Sequence, residues 1–185
     1  GLAGDALTDS DRNVAVGFSA LTAETLGQYS TAVGYAALSS QANSTATNAL
    51  NTAVGYNAGA AVTTGAQNTL IGGLAGDAIT TADENTVIGY QAGTALTVGN
   101  NNVALGSLAL ATDTKGDRNV AIGRGALYSQ NFTTTTDSNN VAIGYAAGEA
   151  VTTGINNTLI GTNAGDALTD ADLNVAVGKG ALTSD

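Results

Sequence analysis

Two short acidic segments have the spacing most suggestive of chemistry. Residues 9–13 and 170–174 both read Asp-x-Asp-x-Asn. Some Ca²⁺-binding loops begin with alternating oxygen ligands of this kind. Both segments lack the sharp-turn glycine and the distal glutamate of an EF-hand, and the equivalent segment 81–85 does not keep the pattern. We therefore interpret them as solvated acidic loops and predict no metal site.

A second acidic set could supply the carboxylate pair of a glycoside hydrolase. Its members occupy one position of an internal repeat, namely Asp5, Asp77, Glu149 and Asp166. A repeated position produces a stripe along a surface, whereas catalysis requires one unique geometry. The chain also has no histidine and no cysteine, which removes the usual general base and the thiolate nucleophile. We predict no catalytic residue, no cofactor and no enzymatic activity.

Composition narrows the possible partners. The 185 residues carry 15 acidic and 5 basic side chains, for a formal charge of −10. This balance disfavours nucleic acid, and no stretch is apolar enough for us to expect membrane insertion by this segment. Apolar residues make up 43% of the chain, yet only 4% is aromatic and 25 residues are glycine. Low side-chain bulk with much glycine indicates a thin, regular object rather than a globule.

One unit repeats ten times along the chain. Each copy opens with Asn, or with Ser30 in one case, and closes four residues later with Gly. The closing glycines are 17 residues apart except for two spacings of 21, which gives a longer period of 89 residues. We predict a single repetitive domain over 1–185 and expect it to be a fragment of a longer fibre. The repeat positions are Asn13, Gly17, Gly34, Asn51, Gly55, Asn68, Gly72, Asn85, Gly89, Asn102, Gly106, Asn119, Gly123, Asn140, Gly144, Asn157, Gly161, Asn174 and Gly178.

The three residues before each closing glycine predict a short strand with two apolar faces. The first is Val or Thr, the last is Val, Ile or Leu, and the middle one is Ala, Val or Leu. A return segment of the same coil can cover one face, so we expect another copy of the chain to cover the other. We also expect a short return strand in each coil, stacked asparagine side chains, and a positive φ or close backbone approach at each closing glycine.

The columns Asn-(Val/Thr)-Ala-(Ile/Val)-Gly-x-x-Ala resemble the head repeats of YadA-like trimeric autotransporter adhesins and related phage tail fibres. The resemblance spans essentially the whole chain. It implies an all-β, left-handed parallel β-roll, or β-solenoid, of about ten coils, wound as a homotrimer. It also implies an extracellular place on a bacterial surface or virion fibre, and a role in attachment. The head repeat of that family is shorter than 17 residues, and a period of 89 is not typical of it.

Two features break the regularity and are candidate ligand contacts. The residue after the closing glycine is aromatic in five copies, at Phe18, Tyr35, Tyr56, Tyr90 and Tyr145. Exposed tyrosines could contact a cell-surface glycan or a protein receptor, although they could also only cover a corner of the coil. The two four-residue insertions lie within 39–50 and 128–139, and the second offers Tyr128, Asn131 and Phe132. Insertions in solenoids often lie on a binding face, but a tolerated solvent loop explains them equally.

These observations favour a structural and adhesive segment of a trimeric attachment fibre. One alternative is a passive spacer without a ligand of its own. Another is an ice-binding solenoid, because Thr recurs at one position of the coil and flat Thr arrays can match ice. That array is interrupted in half of the copies. Its members are Thr63, Thr80, Thr97, Thr152 and Thr169.

Overall fold

The computed structural model describes residues 2–183 and consists of fourteen short strands joined by turns. Ten strands of three residues form one sheet, and four strands of two residues form two small pairs. The ten are β1 (Val14–Val16), β3 (Thr31–Val33), β5 (Thr52–Val54), β6 (Thr69–Ile71), β7 (Thr86–Ile88), β8 (Val103–Leu105), β10 (Val120–Ile122), β12 (Val141–Ile143), β13 (Thr158–Ile160) and β14 (Val175–Val177). The pairs are β2 (Gly27–Gln28) with β4 (Thr47–Asn48), and β9 (Gly116–Asp117) with β11 (Thr136–Asp137).

The ten-stranded sheet is parallel, and equivalent residues of the repeat lie opposite each other throughout. Ala32 pairs with Ala53, and Ala53 with Leu70, and the same register continues to β14. Each strand therefore contributes one coil of a β-solenoid of about ten coils. At a strand spacing of about 4.8 Å the stack rises about 45 Å from β1 to β14. The predicted all-β parallel β-solenoid is confirmed.

The middle residue of each strand faces the interior of the coil. Ala53, Leu70 and Val87 are fully buried, as are their equivalents from β3 to β13. The alanine that lies three residues after each closing glycine is also fully buried from Ala20 to Ala164. These small columns leave room for one larger filler in each coil, which explains how a chain poor in aromatic residues forms a continuous core.

The closing glycines are required by both conformation and space, as predicted. Their φ values lie between 124° and 141°, a region that L-residues rarely adopt. A Cβ on Gly89 would stand 2.7 Å from the carbonyl oxygen of Gly106 in the next coil. The stacked strands would have to separate to admit it.

The predicted return strand is wrong, because the segment that follows each closing glycine folds as stacked turns. In one coil the N–H of Ala75 donates to Gly72 and that of Ile79 to Gly76, at 3.3 and 3.1 Å. Gly76 has a φ of 55°, which ends any extended conformation. The turns still hydrogen bond from coil to coil, since the N–H of Gly76 donates to the carbonyl of Ala92 at 3.0 Å.

The interior filler comes from one of two positions in the turn. In half of the coils the fourth residue after the closing glycine is a buried or half-exposed Leu with positive φ, as at Leu38 (49°). In the others that residue is Gly, and the filler is the seventh residue, as in the pair Gly76 and Ile79. A Cβ on Gly76 would lie 2.8 Å from Cδ1 of Ile79, so the two fillers exclude each other.

The opening asparagines form a hydrogen-bonded ladder, as predicted, which runs unbroken from Asn51 to Asn174. The Asn68 side-chain oxygen accepts from the backbone N–H of Asn85 at 3.0 Å. The Asn85 oxygen accepts from Asn102 in the same way, at 2.9 Å. In most coils the side-chain NH₂ also donates to a backbone carbonyl 14 residues later, for Asn85 that of Gly99 at 3.0 Å. The ladder therefore satisfies buried backbone groups at the corner where each strand begins.

Candidate interaction surfaces

The outward side of the sheet is an apolar surface, here called the outer face. It consists of the first and third residues of the ten three-residue strands. Its third-residue column is about one third exposed in the interior coils, with Ile71 at 36% and Leu105 at 40%, and more exposed in the terminal coil at Val177 (66%). The predicted second face of each strand is thus present, apolar except for five threonines in its first-residue column, and no other segment among residues 2–183 pairs with or buries it.

A second surface, here called the aromatic column, consists of the residue after each closing glycine. Phe18, Tyr35 and Tyr56 are stacked, with ring centroids 5.4 and 5.5 Å apart. Further along, the Arg124 guanidinium lies 5.7 Å from the ring centre of Tyr145 and donates to its hydroxyl at 3.2 Å. The backbone of this column is locked in register, since each following N–H donates one coil back, as from Asn57 to Tyr35 at 2.9 Å. The full column is Phe18, Tyr35, Tyr56, Gly73, Tyr90, Ser107, Arg124, Tyr145, Thr162 and Lys179.

The second insertion presents only part of its predicted contact set. The Tyr128 side chain is 37% exposed, and the Asn131 side-chain oxygen accepts from the Thr114 hydroxyl at 3.1 Å. Phe132 is only 7% exposed, so it offers little surface to a ligand. Among residues 2–183 no ring stack or side-chain hydrogen bond joins these three side chains to the aromatic column.

A buried carboxylate under the first insertion was missed by the sequence analysis. Glu24 is fully buried, and its Oε1 accepts from four backbone N–H groups. These donors belong to Thr25, Leu26, Gly27 and Asn43, at 2.9, 3.0, 2.6 and 3.1 Å. Burial by itself would raise the pKa of Glu24, but the hydrogen bonds from Gly27, Gln41 and Asn43 outweigh it and hold that pKa below 4.5.

The second insertion repeats this arrangement 89 residues later. Asp113 is fully buried and accepts from the N–H of Gly116 at 3.0 Å and from the Gln130 side chain at 2.6 Å. A signal for both sites exists in the sequence. Wherever the fourth residue after the closing glycine is Leu, the seventh is acidic or an amide, as at Glu24, Gln41, Asp113 and Gln130. Because the Leu already fills the coil, the seventh position is free to hold a polar side chain that caps the loop.

Asp117, at the base of the second insertion, shows the opposite titration behaviour. Burial raises its pKa above 3.8, and the nearby carboxylates of Asp137 and Asp113 add to this. The backbone N–H of Asn100 and the charge of Arg118 oppose the rise. Arg118 also forms an ion pair with Asp137. The acidic groups of this region therefore make contacts that stabilise the folded insertion.

The acidic motifs and the threonine array make structural hydrogen bonds. Asp172 accepts from the N–H of Ile155 at 2.7 Å, and the Asn174 side chain donates to Asn157 at 3.0 Å. No group of three or more acidic side chains placed to hold a metal ion occurs among residues 2–183. The Thr80 hydroxyl donates to the Thr97 carbonyl at 3.1 Å, and others of the array do likewise. Because these hydroxyls donate along the stack, the observation weighs against an ice-binding array.

Comparison of the chain with protein-family models, curated proteins and solved structures found no match. In the described part of the chain there is also no helix of the length and hydrophobicity needed to cross a membrane.

Proposed function

We propose that this chain is a stiff, self-associating segment of an extracellular attachment fibre. The observation that carries the proposal is the outer face, an exposed apolar sheet that repeats in register over ten coils. Exposed apolar patches beyond a few hundred Å² mark interaction surfaces. Ten strands of three residues span about 45 Å by about 10 Å, or roughly 450 Å² of projected area.

The occupant of the outer face is two further copies of this chain, arranged as a homotrimer. A partner must present apolar groups at the same strand pitch along the whole length, and a second copy meets that requirement automatically. Three such faces bring roughly 1,350 Å² of projected area together about the trimer axis. The resemblance to YadA-like head repeats and phage tail fibres supports three copies and left-handed coils.

Attachment follows from the mechanical properties of such a rod. Its coils are joined by strand pairing, the asparagine ladder and a continuous core, without any cysteine. A trimer of such coils resists local opening and holds its surface residues at a fixed distance from an anchor. We place it on a bacterial surface or a virion fibre, where contact with a cell-surface glycan or protein receptor would be made by the aromatic column. A passive spacer remains the second candidate, and ligand binding separates the two.

Substitution of one outer-face residue tests the assembly on which this function depends. Ile71→Lys places a charge in the centre of the outer face, where Ile71 is 36% exposed. We expect the association constant to fall at least about tenfold, because a buried unpaired charge is costly. Thr64→Lys adds the same charge at an exposed turn and is the matched control. Equal association of the two variants, measured by light scattering after gel filtration, would rule out the outer face as the interface.

A further inference from the structure

The aromatic column is interrupted at Gly73, between Tyr56 and Tyr90. Phe18, Tyr35 and Tyr56 lie at interplanar angles of 12° and 19°, so each ring covers a face of its neighbour. Gly73 occupies the next position of the column and has no side chain to continue the stack. One face of Tyr56 is therefore left without a ring from the following coil. The space over Gly73, bordered by Tyr56 and Tyr90, is here called the Gly73 slot.

Nothing in the backbone requires glycine at this position. The other described glycines either have φ values between 53° and 141° or would place a Cβ within 2.5 Å of a neighbouring atom. Gly73 has neither property. A Cβ on Gly73 would contact one atom, Cδ2 of Tyr90, at an ordinary 3.6 Å. The gap in the column therefore results from the residue type alone, and the ring of Tyr90 lies against it on one side.

The room over Gly73 is limited by the ring of Tyr90. Tyr56 and Tyr90 are two coils apart, so two strand steps of about 4.8 Å separate their backbones by about 9.6 Å. Cδ2 of Tyr90 would lie 3.6 Å from a Cβ on Gly73, so the Tyr90 ring occupies part of that distance. A ligand ring would therefore stack on the uncovered face of Tyr56 and meet Tyr90 at its side.

The chemistry around the slot selects a neutral ligand. Tyr56 and Tyr90 are 56% and 57% exposed, which leaves their rings accessible from solvent. The residues that follow them, Asn57 and Gln91, are half-buried amides able to hydrogen bond sugar hydroxyls. No charged side chain belongs to the two dipeptides or to Gly73-Leu74, and a net charge of −10 repels anions.

We propose that the Gly73 slot binds one pyranose ring of a neutral glycan, stacked on the uncovered face of Tyr56 and bordered by Tyr90. This inference rests on the adhesive part of the proposed function, since it names the ligand class and the site. It does not depend on how many chains assemble, because both rings belong to one chain. Its failure can therefore be distinguished from failure of the trimer.

The test uses Gly73→Tyr, which fills the slot and completes the stack. The matched control is Ser107→Tyr, which adds a ring to the same column but leaves the Tyr56–Tyr90 gap unchanged. Wild type and both variants are screened against immobilised neutral oligosaccharides of glucose, galactose, mannose and N-acetylglucosamine. The best ligand is then titrated by calorimetry, and sedimentation of each variant monitors assembly.

We expect wild type and Ser107→Tyr to bind the same oligosaccharide with equal affinity. Gly73→Tyr should lose at least about tenfold in affinity while keeping its sedimentation coefficient. Tyr56→Ala should lose binding too, whereas Tyr35→Ala, one coil outside the slot, should keep it. The proposal is overturned if wild type binds none of the oligosaccharides at millimolar concentration, or if Gly73→Tyr binds as well as wild type. A change in assembly of Gly73→Tyr without sugar binding would overturn it as well, and would assign the slot to a partner chain.

Discussion

At the residue scale, single positions decide whether the coils can stack. The closing glycines from Gly17 to Gly161 combine a positive φ with an approach of one backbone to the next that leaves no room for a Cβ. Gly125 has a φ of 67° but no atom within 4 Å of its Cβ position, so it has only the conformational requirement. Gly73 has neither. The chain thus contains its own series of controls for the two effects.

We predict a graded loss of stability across three glycine-to-alanine variants. Gly89→Ala should cost about 3 kcal/mol or more, because the strands must also separate. Gly125→Ala should cost about 1 kcal/mol, from the left-handed conformation alone. Gly73→Ala should have almost no effect. Denaturant unfolding followed by circular dichroism gives the order, and equal losses for the three would contradict the steric account.

The buried Glu24 carboxylate should make stability depend on pH in the acid range. Its pKa in the folded state lies below the ordinary 4.5, so its contribution is complete above that value and is lost as pH falls through the folded pKa. Asp117 acts in the opposite direction, because its pKa is raised above 3.8 and its contribution diminishes as pH rises through the folded value. The variant Glu24→Gln isolates the first effect.

Glu24→Gln should be destabilised by about 2 kcal/mol at neutral pH and should lose less stability than wild type on acidification. An amide at this position turns an NH₂ group toward other donors, the side chains of Gln41 and Asn43. Glu149→Gln changes the net charge equally at an exposed position and is the control. Parallel pH–stability curves for wild type and Glu24→Gln would show that the carboxylate has no special role.

At the element scale, the asparagine ladder joins each strand to the next independently of strand pairing. In both insertion-bearing coils a glutamine adds to the ladder, since the side chain of Asn51 donates to Gln41 at 2.9 Å and that of Asn140 to Gln130 at 2.8 Å. At the first insertion, where Ser30 interrupts the asparagines, Gln41 in turn donates to Glu24.

Asn85→Ala should cost about 3 kcal/mol, because it leaves the N–H of Asn102 and the carbonyl of Gly99 buried without partners. Asn85→Asp keeps the acceptor for Asn102 but loses the donor to Gly99, so it should fall between wild type and Asn85→Ala. Amide hydrogen exchange gives a local readout. We expect the Asn102 amide to exchange faster in Asn85→Ala, and unchanged protection there would contradict the ladder.

The sequence predicted those elements that have a one-residue signature. A Gly column and an Asn column have few physical explanations, so the corner geometry and the ladder could both be predicted. The return turns could not, because residues such as Leu38 and Ala36 adopt positive φ values that their types do not favour. The Glu24 site was not predicted because its position in the repeat is apolar in half of the coils. That position holds a polar residue only where a Leu such as Leu38 already fills the coil, and that the Leu fills the coil is visible only in the structure.

At the scale of the whole molecule, the two surfaces have different consequences. The outer face runs the length of the stack, so only a partner of equal length can cover all of it. The aromatic column is irregular, and its one glycine has no structural role, so recognition is best placed there. The Gly73 slot is a place where the repeat breaks, as the sequence predicted for a binding site. It is a better candidate than the second insertion, where Phe132 is buried.

Sedimentation equilibrium of the unmodified chain is the most direct test of the central claim that copies of this chain cover the outer face. The account predicts a single species of about 54 kDa, three times the chain mass of 18.0 kDa, that persists on dilution. A monomer of 18.0 kDa across the micromolar range would contradict it, because the outer face would then be stable in water without a partner.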